Sequence, residues 1–594
     1  MASAPHPQSD EKSPLRSSRS RLSARREKPL TDREYADRVK SYAQLSAGQH
    51  YRTLANFLFA PYQRNVGDAV PSATSPSKKY SERFLTMYIL NESSPPQVHN
   101  VCDVAGFSKV ASDSEDLNVL LFLRGHQPPE MLNAIGAKYR VDPEFFRQHL
   151  DLGSRVDQSG NSPFTCLPST CGNIVRLPSI TVASRSSGSG LSRFHHHNKL
   201  SKIREETAKR LEDHIHNIRQ GRESQLPQGT SLVRDFAIHD YQHFSLDQEI
   251  SVYVAGNGKR WIGIVWLDTG IDLSQDKSGP WQAKALQCES WEIQFSPIVQ
   301  HQPGAALNRR DLIRSSTAPQ LTSKIDWQEP SRLLQTSSLL HRNYGEHLDN
   351  ETMNADPFYA LTDIFAFVAA AEAHFLDTLQ LSLDREIDIP LLSRYSSKTT
   401  TALWNLVYNK RLLSRHLRRL QDITSFISHQ SKIADWPVAS TPDKQIVAAR
   451  AAERLRMDYT HLVDRCHALC EAFDNAMDIL QNNTMIEESQ RAIQQAEGLA
   501  KLTRLAFFFI PLSLTSSMFG MNVKQFVTEA PMSIWVWVVT STVTLMFSYA
   551  VLSWGNWRLN EIMSRANEKR KRKRPVDVER PSVEMSTRPS SVAK

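Results

Sequence analysis

The sequence predicts an α/β domain followed by a long helical stalk and two C-terminal transmembrane helices, with disordered tails at both ends. Three observations carry this reading. Glu249–Val254 and Trp261–Asp268 are β-branched and aromatic runs joined through Gly256-Asn257-Gly258, a strong hairpin turn. Between Pro442 and Pro511 there is no proline, and Gly498 is the only glycine. Two charge-free stretches then follow, Leu505–Val523 with 19 residues and Ala530–Trp557 with 28.

The elements are expected in this order. Residues 1–35 form a basic tail, rich in Ser, Pro and Arg and without the apolar core of a secretory signal. A transit peptide shares some of that composition, but a solvated, phosphorylatable tail is the simpler reading. Residues 36–345 form the α/β domain. Within it Asp116–Gly125 reads as a strand ending at Gly125, and Pro128–Tyr139 as a short amphipathic helix. Ser184–Ser192 and His301–Ser323 read as flexible insertions, and His195-His196-His197 as a solvated loop.

Residues 346–504 form the stalk. Phe358–Leu383 is Ala-rich and apolar at helical spacing, opened by Asp356-Pro357 as cap and first turn. A second helix is expected over about Thr399–Gln430. In the third, Leu455, Tyr459, Leu462, Cys466, Leu469, Phe473, Met477 and Leu480 recur at three- and four-residue steps, close to a heptad seam. The seam predicts packing against the two preceding helices and against copies of the chain. Residues 505–557 are the two spans and their loop, and 558–594 a basic cytosolic tail.

Charge and composition exclude several classes. The chain has 594 residues, 40% hydrophobic and 23% charged, and its net charge is +8. Mean hydropathy is −0.43, too low for a many-pass membrane protein. Residues 1–34 hold eight basic and five acidic side chains, and residues 564–594 hold ten and four. The body between them is therefore nearly neutral, which does not suit a nucleic-acid binder. Six cysteines in this length build no disulfide framework and suit a reducing compartment. Cys166 and Cys171 lie five apart in a Pro/Ser/Thr-rich stretch. Cys466 and Cys470 beside His467 have the spacing of a metal half-site, yet both continue the apolar stripe, where thiols commonly pack as core. With no phosphate loop, nucleophile elbow or dinucleotide fingerprint, neither an enzyme nor a cofactor is expected.

A bilayer core about 30 Å thick needs about 20 helical residues. The second span meets this, with Trp535, Trp537, Trp554 and Trp557 near its ends. The first is interrupted by Pro511, Ser513, Thr515, Ser516 and Ser517. Lys501 and Arg504 precede it. Arg558, Arg565 and the run Lys569-Arg570-Lys571-Arg572-Lys573-Arg574 follow the second, whereas the loop holds only Lys524 and Glu529. The positive-inside rule places both termini in the cytosol, with the basic run against anionic headgroups. The plasma membrane is the expected location, and an organellar membrane remains open.

The stretch from Leu499-Ala500-Lys501-Leu502-Thr503-Arg504 through Pro511-Leu512 to Phe519-Gly520-Met521-Asn522 resembles the pore helix of the CorA family of magnesium channels. Shared features are the Lys-Leu-Thr opening, the mid-helix Pro-Leu, the Gly-Met-Asn signature closing the first of two terminal spans, the short loop and the basic tail. The close resemblance covers about 60 residues. Leu132-Asn133-Ala134-Ile135-Gly136 and Val141-Asp142-Pro143-Glu144-Phe145 more weakly resemble the family's cytosolic domain. Two departures stand out. Phe519 occupies the position where the family commonly has Tyr, and Ser516 and Ser517 stand where small apolar residues are usual.

The resemblance implies a homopentamer in the membrane carrying Mg²⁺. Two helices alone cannot enclose a polar path, so several chains must surround an axis in any case. Leu499, Leu502, Ala506, Ile510, Ser513, Ser517 and Gly520 recur at three- and four-residue spacing as a candidate lining. Leu499 and Leu502 suit apolar rings that gate by dewetting. Gly520 carbonyls and Asn522 side chains suit a mouth of neutral oxygens that holds a hydrated ion, with Met521 packing beside them. Gly520 is also expected to permit a tight turn. Alternatives are Zn²⁺ transport, as in the ZntB-like branch, and a non-conducting, membrane-anchored regulatory protein that keeps the hairpin.

Overall fold

The computed structural model describes residues 29–63, 84–91, 94–152, 166–187, 197–221, 226–240, 242–257, 260–273, 279–281, 291–300, 335–342, 344–392, 396–433, 436–520 and 534–572. Met521, Asn522, the loop acid Glu529, the stretch His301–Ser323, the run's last residues Lys573 and Arg574, and nearly all of both tails lie outside the described residues.

The chain divides into two compact units, Met1–Gln481 and Asn482–Lys594. The first begins with α1 (Asp32–Ala43), α2 (Arg52–Gln63), β1 (Leu85–Asn91), β2 (Ser94–Val101) and α3 (Val104–Asp113). It continues with β3 (Asn118–Arg124), α4 (Pro129–Tyr139), α5 (Pro143–Leu150), β4 (Ile174–Ser187), α6 (His197–Gly221) and β5 (Asp235–Ile238). Then come β6 (His243–Asn257), β7 (Arg260–Leu267), β8 (Trp291–Phe295), α7 (Asn350–Ala355), α8 (Pro357–Ala360), α9 (Thr362–Leu392) and α10 (Ser396–Ile433). α11 (Pro442–Gly520) contains the division between the units, and α12 (Ile534–Arg572) belongs to the second.

The strands form one sheet in the order β2-β1-β3-β7-β6-β4-β8, with β5 paired to β6. The β3–β7 pair is parallel, and the other pairs are antiparallel. The predicted hairpin is the β6–β7 pair, from Ile250 opposite Leu267 to Asn257 opposite Arg260.

Alternation along the central strands explains why they read as unbroken apolar runs. Tyr88, Leu120, Phe122, Val265 and Leu267 point into a core with α9, α10 and the first part of α11. Their neighbours Met87, Leu121, Leu123, Ile264 and Trp266 point into a second core with α1, α2, α4 and α5. With both faces covered, neither set of side chains meets water. Gly125, at the end of β3, has φ +61, and a Cβ there would stand 2.6 Å from the Gly229 carbonyl oxygen. Glycine is required for that close passage.

The helical half refines several expectations. Asp356 caps α8 by accepting from the Tyr359 amide at 2.9 Å, and α9 then starts afresh at Thr362. α9 is apolar enough to cross a membrane over Thr362–Ile387, yet 61% of its most apolar window is buried inside the unit, so it is a core helix. The heptad residues of α11 from Leu455 to Leu480 pack with α9 and α10. The seam is thus filled by the two preceding helices, as its spacing predicts. Cys466 is fully buried there, and burial, with Glu372 and Cys470 nearby, pushes its thiol up to about 12. It is core, not half a metal site.

Two loop expectations are corrected. Ser184–Ser187 belongs to β4, because its backbone pairs with β6 at Ser184–His243 and with β8 at Ser187–Trp291. His197 opens α6, a helix whose Leu200, Leu211, Ile215 and Ile218 bury against Phe236, Phe244 and Trp281. His195 and His196 lie outside the described residues.

Candidate ion-conducting segment

The second unit offers two apolar helices, the end of α11 and Ile534–Gly555 of α12. The latter has 22 residues, about 33 Å at 1.5 Å per residue, enough to cross a bilayer core. Both helices expose their apolar side chains: only 6% of each most apolar window is buried. Such a surface is at home in lipid or against other copies of the helix.

One polar contact fixes how the two helices face each other. Thr515 Oγ1 and Ser541 Oγ lie 3.1 Å apart, and both residues are buried. Around them, Pro511 and Leu512 on α11 and Trp537, Thr544, Leu545, Ser548 and Leu552 on α12 are half-buried. On α12 these positions, with Ser541, fall on one side of the helix, where small hydroxyl residues let two helices approach. At about 100° per residue, Leu499, Leu502, Ala506, Ile510, Ser513, Ser517 and Gly520 all fall about 140–220° around α11 from Thr515. The candidate lining therefore occupies the face turned away from α12.

Several hydroxyls of the two helices bond back to their own backbone. Thr503 donates to the Leu499 carbonyl and Thr515 to the Leu512 carbonyl, while Thr540 and Thr542 on α12 donate to Val536 and Val538. Such back-bonding uses up a hydroxyl's donor. Ser513, Ser516 and Ser517 are exposed and make no hydrogen bond to a described residue.

Gly520 is the last residue of α11, its φ is not left-handed, and a Cβ added to it would meet nothing within 4 Å. The residues that would form the turn expected after Gly520 lie outside the described residues. Met521 and Asn522, the rest of the signature, lie outside the described residues.

The flanks carry the charges. Lys501 and Arg504 are exposed on α11. The Arg558 guanidinium lies 5.7 Å from the Trp554 ring centre, and Arg565 pairs with Glu561 at 2.6 Å. α12 runs on to Arg572, so Lys569, Arg570, Lys571 and Arg572 continue the helix beyond the apolar span. The sequence reading named Thr515 only as a polar interruption of the first span and did not name Ser541. Thr515 sits between the serines it did name, but nothing in the composition says which hydroxyl faces the partner helix.

No curated protein matches the chain. Among solved structures, that of the CorA magnesium transporter from Methanocaldococcus jannaschii aligns with 79% of this chain and 96% of its own, at 11% identity and a TM-score of 0.33. That similarity is too distant to place any residue. Residues 351–554, from α7 through both apolar helices, match the family model described as CorA-like Mg2+ transporter protein, and the resemblance carried by Phe519-Gly520-Met521-Asn522 is shown for that part of the chain.

Proposed function

We propose that the chain is one protomer of an oligomeric channel for divalent cations, Mg²⁺ in the first place. The observation that supports this most is the division of α11 into two faces, one closed by Thr515 against Ser541, the other carrying Leu499, Leu502, Ile510, Ser513 and Ser517. The printed description of the family matched over residues 351–554 points the same way. Copies of α11 around an axis turn the second face inward, and the resemblance implies five of them. Leu499 and Leu502 then form apolar constrictions that close by dewetting. Ser513 and Ser517 offer hydroxyls above them, and Gly520, Met521 and Asn522 form the mouth. Mg²⁺ gives up its water reluctantly, so a ring of neutral oxygens serves it by hydrogen-bonding its hydration shell. The basic flanks hold both termini inside, and the domain at 36–345 with the stalk at 346–504 forms the cytosolic part. The reaction moves an ion down its gradient and calls for no enzyme chemistry and no cofactor.

The test is reconstitution into liposomes that enclose a Mg²⁺ dye, with wild type compared to Asn522→Ala. Influx through wild type and its loss in the variant support the reading. No influx from correctly inserted wild type overturns it in favour of a non-conducting membrane anchor, and influx of Zn²⁺ without Mg²⁺ selects the zinc alternative.

A further inference from the structure

α5 and the segment that leads into β4 bring together three ligating side chains within the first unit. Glu144, Cys166 and Cys171 each offer one ligand atom, and the three atoms lie within 4.8 Å of one another. Glu144 is almost fully buried, and both cysteines are free thiols. A short turn makes the arrangement: the Thr170 and Cys171 amides donate to the Leu167 carbonyl at 3.0 and 3.2 Å, folding Cys171 back beside Cys166. The Cys166 thiol donates to Glu144 Oε1 at 3.2 Å, and Gln148 Nε2 donates to Cys171 Sγ at 3.8 Å.

We propose that Glu144, Cys166 and Cys171 form a binding site for a thiophilic divalent cation, with Zn²⁺ the ion it fits. Two sulfurs and a carboxylate oxygen are a common zinc donor set, and a fourth position is left to water. Zn–S bonds of about 2.3 Å in a tetrahedron place ligand atoms about 3.8 Å apart, so closing on the ion takes a contraction of about 1 Å at most. The ion takes the place of the proton that now lies between Cys166 Sγ and Glu144 Oε1, and thiolate formation releases protons to solvent.

Charge also closes. Arg147 grips Glu144 through Nε at 2.8 Å and a terminal nitrogen at 2.5 Å. Two thiolates, one carboxylate, one guanidinium and Zn²⁺ sum to zero. The Glu144 carboxylate also accepts from Gln148 Nε2 at 2.9 Å. Thiolate ligands select against Mg²⁺, which prefers all-oxygen sites and keeps its water. The site is therefore independent of the proposed transport, and either can fail without the other. Bound metal would staple the start of β4 to α5.

The experiment uses the full-length protein in detergent under a phosphine reductant, titrated with Co²⁺ and then Zn²⁺. Wild type is expected to bind one Co²⁺ with the near-ultraviolet thiolate charge-transfer absorption, which Zn²⁺ abolishes and excess Mg²⁺ leaves unchanged. Cys166→Ser and Cys171→Ser should each weaken Zn²⁺ in chelator competition by more than about 100-fold, since loss of an outer-shell partner alone costs 10–100-fold. Cys102→Ser and Cys466→Ser should keep both readouts. Cys171 is half-buried on a turn outside the hydrophobic cores, so its isosteric serine variant should keep the wild-type circular dichroism and melting curve. Absence of the band in wild type with its thiols titrating free, or its persistence in the Cys166→Ser/Cys171→Ser double variant, overturns the proposal.

Discussion

Thr515 Oγ1 and Ser541 Oγ meet at 3.1 Å on the buried seam between the two apolar helices of the second unit. In lipid no water competes for these hydroxyls, yet Thr515 also has the Leu512 carbonyl as a local partner at 2.9 Å, so the pair is a modest lock on orientation. A double-mutant cycle with Thr515→Val and Ser541→Ala should give a coupling of about 0.6 kcal/mol and no more than about 1.7 kcal/mol. Reversible unfolding in mixed micelles measures it. A coupling of zero would mean that the helices are aligned by packing alone.

Phe473 is fully buried where α11 packs with α9 and α10, while Met485, twelve residues on, is exposed. Phe473→Ala should destabilise the first unit by about 3–5 kcal/mol. Met485→Ala should change stability by less than about 0.5 kcal/mol. Denaturant melts of the two variants give the comparison, and similar losses from both would contradict the assignment of the α11 seam to the chain's own core.

Glu386 on α9 is buried, accepts one hydrogen bond from Asn405 at 2.9 Å, and has a second oxygen with no partner among the described residues. Burial pushes its carboxyl up to about 7 from 4.5, with Asp240 adding to the rise against the pull of Asn405 and Arg204. Because the folded value is the higher one, the stability it confers is complete below 4.5 and is lost as pH rises through 7. Glu386→Gln should therefore match wild type at pH about 4 and be more stable by about 2–3 kcal/mol at pH about 8. Parallel melts at both pH values check this, and a variant equally stable or weaker at the higher pH would count against it.

What the sequence revealed depended on how local the signal was. The β6–β7 hairpin was legible because Gly256-Asn257-Gly258 and its flanking runs lie within twenty residues. The apolar spans were legible from the absence of charge. α6 was missed because its 25 residues are mostly polar, although Leu211, Ile215 and Ile218 keep a helical step. That the Leu455–Leu480 seam meets α9 and α10 was legible from its heptad spacing and from the two helical patterns that precede it. The Glu144–Cys166–Cys171 cluster was legible only in part, as two cysteines five apart. Its ligands come from two segments that only the approach of α5 to β4 brings together.

The central claim is that the face of α11 opposite Thr515 lines an ion path, and bulky substitutions test it directly. Mg²⁺ influx would be followed in dye-loaded proteoliposomes for wild type, Ser513→Trp and Ser517→Trp on that face, and Leu514→Trp and Met518→Trp off it. Each protein would be checked for insertion and for wild-type oligomer size. The account predicts influx in wild type and in the Leu514 and Met518 variants, with a loss of at least about tenfold, equivalent to about 1.4 kcal/mol, in the Ser513 and Ser517 variants. Undiminished influx through Ser513→Trp and Ser517→Trp, or equal loss on both faces, would contradict it.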